Sequence, residues 1–286
     1  MIGNIACENK NGQNNLALKK FLRGRIMGKN NYNTDVALLS VTTTEFKAVT
    51  HFHEWKAKTF IGDDQIYDVA EFERDGKQRS IVHAKISEMG MTAAASTAMK
   101  VIFTFRPRYL IMVGIAAGVV KSELEDQRYG DVIVPDVVWN YSAGKFVSPE
   151  FAEIRYGNMG FLPRSSAEQI PEDILPYLRK AAASEENPCH VYIGPMACGS
   201  TVVANRELLE KQIYTQYQHT AGLDMESYAV VYAANHANDP KPTPIIVKSV
   251  CDFADSKKSD DYQRFAAYSS CEFAKFLYEK ILPMDS

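Results

Sequence analysis

The sequence predicts an α/β fold whose central sheet is covered on both faces. From Asp35 onward, short apolar runs alternate with segments of helical spacing, which is the order of a βαβ chain. Several of these runs are continuously apolar, as expected for strands that are buried on both sides. With 286 residues, of which 46% are hydrophobic, the chain is long enough to bury the core of such a fold.

Six buried strands are predicted along the chain, each as an apolar run between polar or turn residues. They are 36–41, 80–86, 108–113, 131–134, 190–196 and 244–250. Three helices are predicted between and after them, at 90–105, 227–236 and 260–282. The last has Ser259 as a candidate N-cap, and Asp260 and Asp261 suit the positive end of its dipole.

Two intervals are predicted to be loops. Residues 121–130 are charged, and residues 142–173 carry glycine, proline and scattered acids, so the second interval could cover a site. The chain shows no internal repeat or low-complexity tract. We therefore expect one domain over 35–286 and an N-terminal extension over 1–34, with helical spacing at 15–27.

Composition excludes several classes of partner. A net charge of −3 offers no positive field for a phosphate backbone, so nucleic acid is not expected. The longest apolar run, 109–120, is shorter than the roughly 20 residues of a membrane span, so no membrane partner is expected. The first 34 residues lack the apolar stretch of a secretory signal, which predicts a cytoplasmic chain.

The sequence also predicts no metal and no cofactor. The five cysteines are odd in number, widely spaced and without CxxC spacing, which argues against a disulfide framework and a zinc site. His51 and His53 have no third ligand at a recognisable spacing. Neither GxGxxG nor GxxxxGK[ST] occurs, so dinucleotide and P-loop sites are not predicted.

Four polar segments directly follow apolar runs, where ligand groups lie in parallel α/β sheets. They are 42–45, 114–118, 224–226 and 251–255. Each segment alone also has an ordinary structural explanation. A glycine-rich turn reverses the chain, a glutamate in a first helical turn complements the dipole, and an aspartate after a strand caps a turn.

Together and in this order, the segments resemble the nucleoside phosphorylase and nucleosidase superfamily, within it the methylthioadenosine/S-adenosylhomocysteine nucleosidases. The resemblance covers 35–282, and its most specific parts are Asp224-Met225-Glu226 and Asp252-Phe253-Ala254-Asp255. It implies a single-domain three-layer sandwich with a mixed, largely parallel sheet. It also implies a hydrolase that releases a purine, adenine first among the candidates, from a nucleoside or nucleotide.

The resemblance assigns roles to three carboxylates. Asp252 matches the general acid, which turns a poor leaving anion into a neutral purine by protonating N7. Glu226 matches the glutamate that accepts hydrogen bonds from the ribose hydroxyls while charge builds at the anomeric carbon. Glu45 matches the acid that holds and activates the attacking water.

The same resemblance assigns the substrate-binding residues. Met225 packs under the sugar, and main-chain groups near Val203 read the purine edge. Val202 stands where the family has an aromatic residue, so the base lacks the stacking contribution of a ring there. The remaining candidates, around the turn after the central strand and beside the acid, are Gly114, Ile115, Ala116 and Phe253.

Two features favour water over phosphate as the acceptor. Ile115 stands where the phosphorylases have a hydroxyl residue. Arg106 and Arg108 lie at the opposite end of the predicted strand, roughly 20–26 Å from the turn. A phosphate-dependent purine nucleoside phosphorylase and a non-catalytic nucleotide-sensing module remain the alternatives.

The segment 139–145 resembles nucleosidase-like effector modules, some of them from bacterial and fungal defence proteins that remove the base from nucleotides such as ATP. Lys145, Lys257 or Lys258 could contact phosphates or simply form a solvated face. The 5′ substituent is therefore left open between methylthio, homocysteinyl, hydroxyl and phosphate groups. The resemblance also implies a homo-oligomer, a dimer or larger.

Overall fold

A computed structural model describes residues 31–119, 127–148, 161–201, 213–254 and 261–284. The predicted helical segment at 15–27 lies outside the described residues. Within the chain, Tyr32–Ser286 forms one unit by its internal contacts.

Three parallel strands form the centre of the sheet: β1 (Thr34–Ser40), β5 (Pro107–Gly118) and β14 (Thr243–Asp252). Strand β5 lies between β1 and β14, and β4 (Lys77–Lys85) adds a further parallel strand outside β1. Almost every residue of β1 and β14 is buried, as their continuously apolar sequences predict. The carboxyl ends of β1, β5 and β14 lie at the same edge of the sheet.

Further strands extend both sides of this centre in a mixture of antiparallel and parallel pairings. Beyond β4 lie β3 (Asp63–Arg74) and β2 (Lys56–Phe60). The end of β5 pairs with β13 (Gly222–Asp224), which is followed in the sheet by β12 (Met196–Cys198), β7 (Val137–Asn140) and β10 (Ser166–Gln169). Strand β6 (Val132–Val134) pairs with β14 and with β11 (Val191–Ile193).

Helices cover both faces of the sheet. Helix α2 (Met91–Phe105) packs against α4 (Ser227–Asn235), and α1 (Thr43–Thr50) packs against α5 (Gln263–Phe276). Helix α3 (Leu175–Ala182) and a π-helical turn (Leu277–Ile281) complete the described helices. The predicted three-layer α/β architecture with a mixed sheet and a parallel centre is confirmed.

Several local predictions were wrong. The interval 142–173 is not a continuous loop: it contains β8 (Gly144–Phe146), which pairs with β9 (Phe161–Pro163), and it contains β10. These strands are short and mostly exposed, so they carry no apolar pattern. The predicted strand 190–196 is split into β11 and β12 at Pro195, because proline cannot donate to the ladder.

Other boundaries also differ. Helix α5 begins at Gln263 rather than Asp260, and Ser259 lies outside the described residues. Helix α1 was not predicted, although Thr42 and Glu45 have capping-box spacing and form that box in the structure. Within the described ranges, no helix combines the length and apolar character needed to cross a bilayer.

Candidate active site

A cavity lies at the carboxyl ends of the central strands and encloses about 790 Å³, including the part open to solvent. Of the residues predicted for the site, six line it: Glu45, Ile115, Ala116, Met225, Glu226 and Asp252. Four separate parts of the chain thus meet around one space.

Glu45 is held at the start of α1 by main-chain donors. Its Oε2 accepts hydrogen bonds from the N–H groups of Val41 (2.8 Å) and Thr42 (2.7 Å). Its Oε1 accepts from the N–H of Ile115 across the cavity floor (2.9 Å). The side chain is only 2% exposed, so one carboxylate ties the end of β1 to the end of β5.

Gly114 is needed for this close approach. A Cβ atom at Gly114 would lie 2.2 Å from Glu45 Oε1 and 3.3 Å from Lys248 Nζ. Gly114 therefore affects the site through the position of Glu45, and it is not among the described residues that line the cavity. Contrary to the predicted turn at 114–118, Gly114 lies inside β5, where the lack of a side chain lets the carboxylate approach the strand backbone.

Lys248 is a buried cation among the acidic side chains of the site. It lies inside β14 and is 1% exposed, and its Nζ is 3.2 Å from Asp224 Oδ2 and 3.7 Å from Glu226 Oε2. Burial by itself lowers the pKa of Lys248, but attraction from Asp224, Glu226 and Glu45 outweighs burial and raises that pKa above its ordinary value. The ammonium is therefore charged and neutralises part of the acidic cluster.

Glu226 stands at the N-cap of α4, where it faces Lys248 and the start of α2. Its Oε1 accepts a hydrogen bond from the N–H of Gly90 (2.7 Å). Burial raises the pKa of Glu226, and the charge of Lys248 opposes this rise without cancelling it. The neighbouring Asp224 accepts hydrogen bonds from the Ser227 hydroxyl (2.6 Å) and N–H (3.0 Å), which fixes the start of α4.

Asp252 is the last residue of β14 and also lines the cavity. Its Oδ1 accepts a hydrogen bond from the N–H of Ala254 (2.9 Å), and the Cys251 thiol lies 3.5 Å from its Oδ2. The side chain is 3% exposed and reaches the cavity. A backbone at positive φ, +52° at Ala254, brings that N–H back onto the carboxylate.

The structure does not bring every predicted residue to the cavity. Phe253 packs its ring on Tyr129, with centroids 5.1 Å apart, and is not among the described lining residues. Val202 and Val203 lie outside the described residues, as do Lys257 and Lys258. Lys145 is exposed on β8.

Sequence reasoning missed several residues that build or line the site, Lys248, Met89 and Tyr141 among them. Lys248 had a detectable signal, since a single lysine inside a long apolar strand needs buried partners. Met89, before α2, and Tyr141, after β7, also line the cavity. Met89 does not stand out in the sequence because it lies in a short connection, whereas Tyr141 falls within the segment 139–145, whose resemblance to effector modules assigned it no role in the site.

Acidic side chains around a buried lysine, at the carboxyl ends of parallel strands, define an enzyme-like site of an α/β protein. The family model of the Phosphorylase superfamily matches residues 35–281. The chain therefore belongs to the Phosphorylase superfamily.

Individual relatives agree with this assignment. The chain is 30% identical to the protein y4jS of Sinorhizobium fredii over 257 residues, which cover 86% of this chain and 60% of that protein. It is 25% identical to a death domain-containing ATP nucleosidase of Amphimedon queenslandica over 266 residues, covering 82% of this chain and 46% of the relative. The chain thus spans about half the length of these curated relatives.

A solved structure shows the same fold. The methylthioadenosine/S-adenosylhomocysteine nucleosidase of Neisseria meningitidis, crystallised with methylthio-immucillin-A, matches with a TM-score of 0.67 at 20% identity. The match covers 87% of this chain and all of that structure. The likeness concerns the fold.

Proposed function

We propose that this chain hydrolyses the N-glycosidic bond of a purine nucleoside or nucleotide and releases the free base. The observation that carries the proposal is the convergence of Asp252, Glu226 and Glu45 on one cavity. Acid catalysis on the leaving group and activation of water are the two tasks of glycoside hydrolysis, and carboxyl groups perform both.

Asp252 is the proposed general acid. Asp252 is the last residue of the buried strand β14, and the Ala254 N–H holds one of its carboxylate oxygens in place. Protonation of the purine at N7 lets the base depart as a neutral molecule. Phe253 supports this position from outside the cavity by packing on Tyr129.

Glu226 and Met225 form the proposed sugar site. One oxygen of Glu226 is engaged by Gly90, and the carboxylate still reaches the cavity, where it can accept hydrogen bonds from ribose hydroxyls. Lys248 keeps negative charge on this cluster despite its burial. That charge stabilises positive charge developing at the anomeric carbon.

Glu45 is the proposed water-positioning residue, and it lines the same cavity as Asp252. Three main-chain donors fix the carboxylate, and the residue lines the cavity. Within the described lining there is no lysine or arginine side chain to receive a phosphate. Arg108 lies near the start of β5 and Ile115 near its end, about 20 Å along an extended strand, which favours water as the acceptor.

Adenine nucleotides are the first substrates to test. The Amphimedon queenslandica relative is named an ATP nucleosidase, and the solved structure is named for nucleosides of adenine. The proposal places the activity in residues 35–286 of a cytoplasmic homo-oligomer, with 1–34 as an extension. Light scattering on the full chain and on a chain lacking 1–34 would test the assembly and the extension.

The deciding experiment incubates the pure protein with methylthioadenosine, S-adenosylhomocysteine, adenosine, AMP and ATP, with and without phosphate. Free base and sugar products are separated chromatographically. The proposal expects base release in the absence of phosphate. Strict phosphate dependence with ribose 1-phosphate as product would instead establish a phosphorylase, and binding without base release would indicate a nucleotide sensor. If the protein prefers ATP as its substrate, a role in defence is favoured over a role in nucleoside salvage.

A further inference from the structure

Residues from several strands build the wall of the cavity. In the sheet register Asp252 pairs with Ala117, and Ala117 pairs with Leu223. Ala117, Leu223, Tyr141 and Thr201 all line the cavity. Under the proposed function Asp252 reaches the purine, and the register leads from Asp252 through Ala117 to Leu223, so we assign this wall to the base end of the site.

Tyr141 is anchored at both its main chain and its hydroxyl. Its N–H donates to the carbonyl of Cys198 (3.1 Å), and its phenol donates to the carbonyl of Thr201 (2.8 Å). The residue is 3% exposed. Burial raises the pKa of Tyr141, so the hydroxyl stays protonated and remains a donor.

The segment 199–201 is held between Tyr141 and β13. A Cβ atom at Gly199 would lie 2.2 Å from Cζ of Tyr141, so the ring packs directly on this backbone. On the other side, the N–H of Gly199 donates to the main-chain carbonyl of Asp224 (3.1 Å), the residue whose side chain pairs with Lys248. The main chain of 199–201, which ends at the lining residue Thr201, is thereby fixed relative to the acidic cluster.

We infer that Tyr141 is a positioning residue for the purine base, which it serves by presenting its ring to the base end of the cavity and by fixing the main chain of 199–201. This role rests on the proposed function for the identity of the ligand. Tyr141 does not touch the reacting bond in this role. Its loss therefore weakens binding of the base and leaves the chemical step largely intact.

Tyr141→Phe tests the role because it removes the hydroxyl and keeps the ring. The probes are free adenine, by calorimetry, and adenosine, by steady-state kinetics. A neutral hydrogen bond contributes about 1 kcal/mol, so we expect the Kd for adenine and the KM for adenosine to rise roughly fivefold. The value of kcat should stay within about twofold of wild type.

Tyr109→Phe is the matched control. The Tyr109 hydroxyl also donates to a main-chain carbonyl, that of Pro283 (2.6 Å), and the residue is 4% exposed near the start of β5, away from the cavity. Tyr109→Phe thus deletes the same phenolic oxygen as Tyr141→Phe, from a similarly buried and hydrogen-bonded position. We expect neither adenine affinity nor kinetics to change in this variant.

Gly199→Ala is a second variant. It keeps Tyr141 with its hydroxyl, but the added Cβ atom displaces the Tyr141 ring. It should weaken adenine binding at least as much as Tyr141→Phe. The inference is overturned if both variants bind adenine like wild type, or if Tyr141→Phe lowers kcat with unchanged KM. Base release by wild type tests the proposed function separately. If the wild-type chain binds adenine but releases no base from any substrate, the proposed function is refuted. The role of Tyr141 is then still tested by comparing the Kd for adenine of wild type and variants.

Discussion

Replacing Lys248 by methionine tests the electrostatics of the site. Methionine is of similar length and apolar, so the substitution removes the ammonium with little change in volume. Asp224, 3.2 Å from Nζ, and Glu226, 3.7 Å from it, would be left buried without their cation. Removing one partner of a buried ion pair costs about 3–5 kcal/mol, and we expect the free energy of unfolding to fall by that amount.

The loss of folding stability caused by Lys248→Met should depend on pH, and its direction follows from the pKa of Glu226. In the wild type, burial raises the pKa of Glu226 and Lys248 restrains the rise. Without Lys248 this pKa rises further. A carboxyl whose pKa is raised by folding contributes stability below its unfolded pKa, and that stability is lost as pH rises through the folded pKa. Lys248→Met should therefore be less destabilising at about pH 5 than at about pH 8.

Urea unfolding of the full chain at both pH values measures the effect. Lys275→Met is the matched control, because Lys275 Nζ is also 3.7 Å from a carboxylate, that of Glu279, but on a partly exposed helical surface. Such pairs contribute below about 1 kcal/mol. If Lys248→Met cost no more than this control, or cost the same at both pH values, the idea of a charge-compensating lysine would be refuted.

Three further substitutions test the carboxylates individually. Asp252→Asn should lower kcat for base release by roughly 10²–10⁴-fold with an unchanged circular dichroism spectrum, and near-normal turnover would remove the proposed acid. Glu226→Gln keeps an acceptor for Gly90 but loses the charge, so kcat/KM should fall. In wild type, kcat/KM should also decline as pH falls through the raised pKa of Glu226, and a flat acid limb would contradict the ribose assignment. Gly114→Ala would place a Cβ 2.2 Å from Glu45 Oε1 and displace that carboxylate, which should lower kcat by roughly tenfold or more; unchanged kcat would show that Glu45 does not need its observed position.

Local chemistry explains which predictions from sequence succeeded. The central strands are continuous apolar runs, and such runs identify buried parallel strands without reference to the rest of the chain. The short edge strands β8, β9 and β10 had no comparable signal, because most of their residues are exposed and their pairing partners lie elsewhere in the chain. Helix α1 was missed although its capping box is visible between Thr42 and Glu45.

The sequence by itself determined the α/β class, the positions of the central strands along the chain and the acidic residues at their ends, because each depends on a few neighbouring side chains. The tertiary structure alone decided that Lys248 neutralises Asp224 and Glu226, and that Tyr141 supports Thr201. These partners lie on different elements and meet only when the sheet is assembled. The effect of a buried charge or hydroxyl depends on the groups around it, and only the assembled sheet specifies those groups.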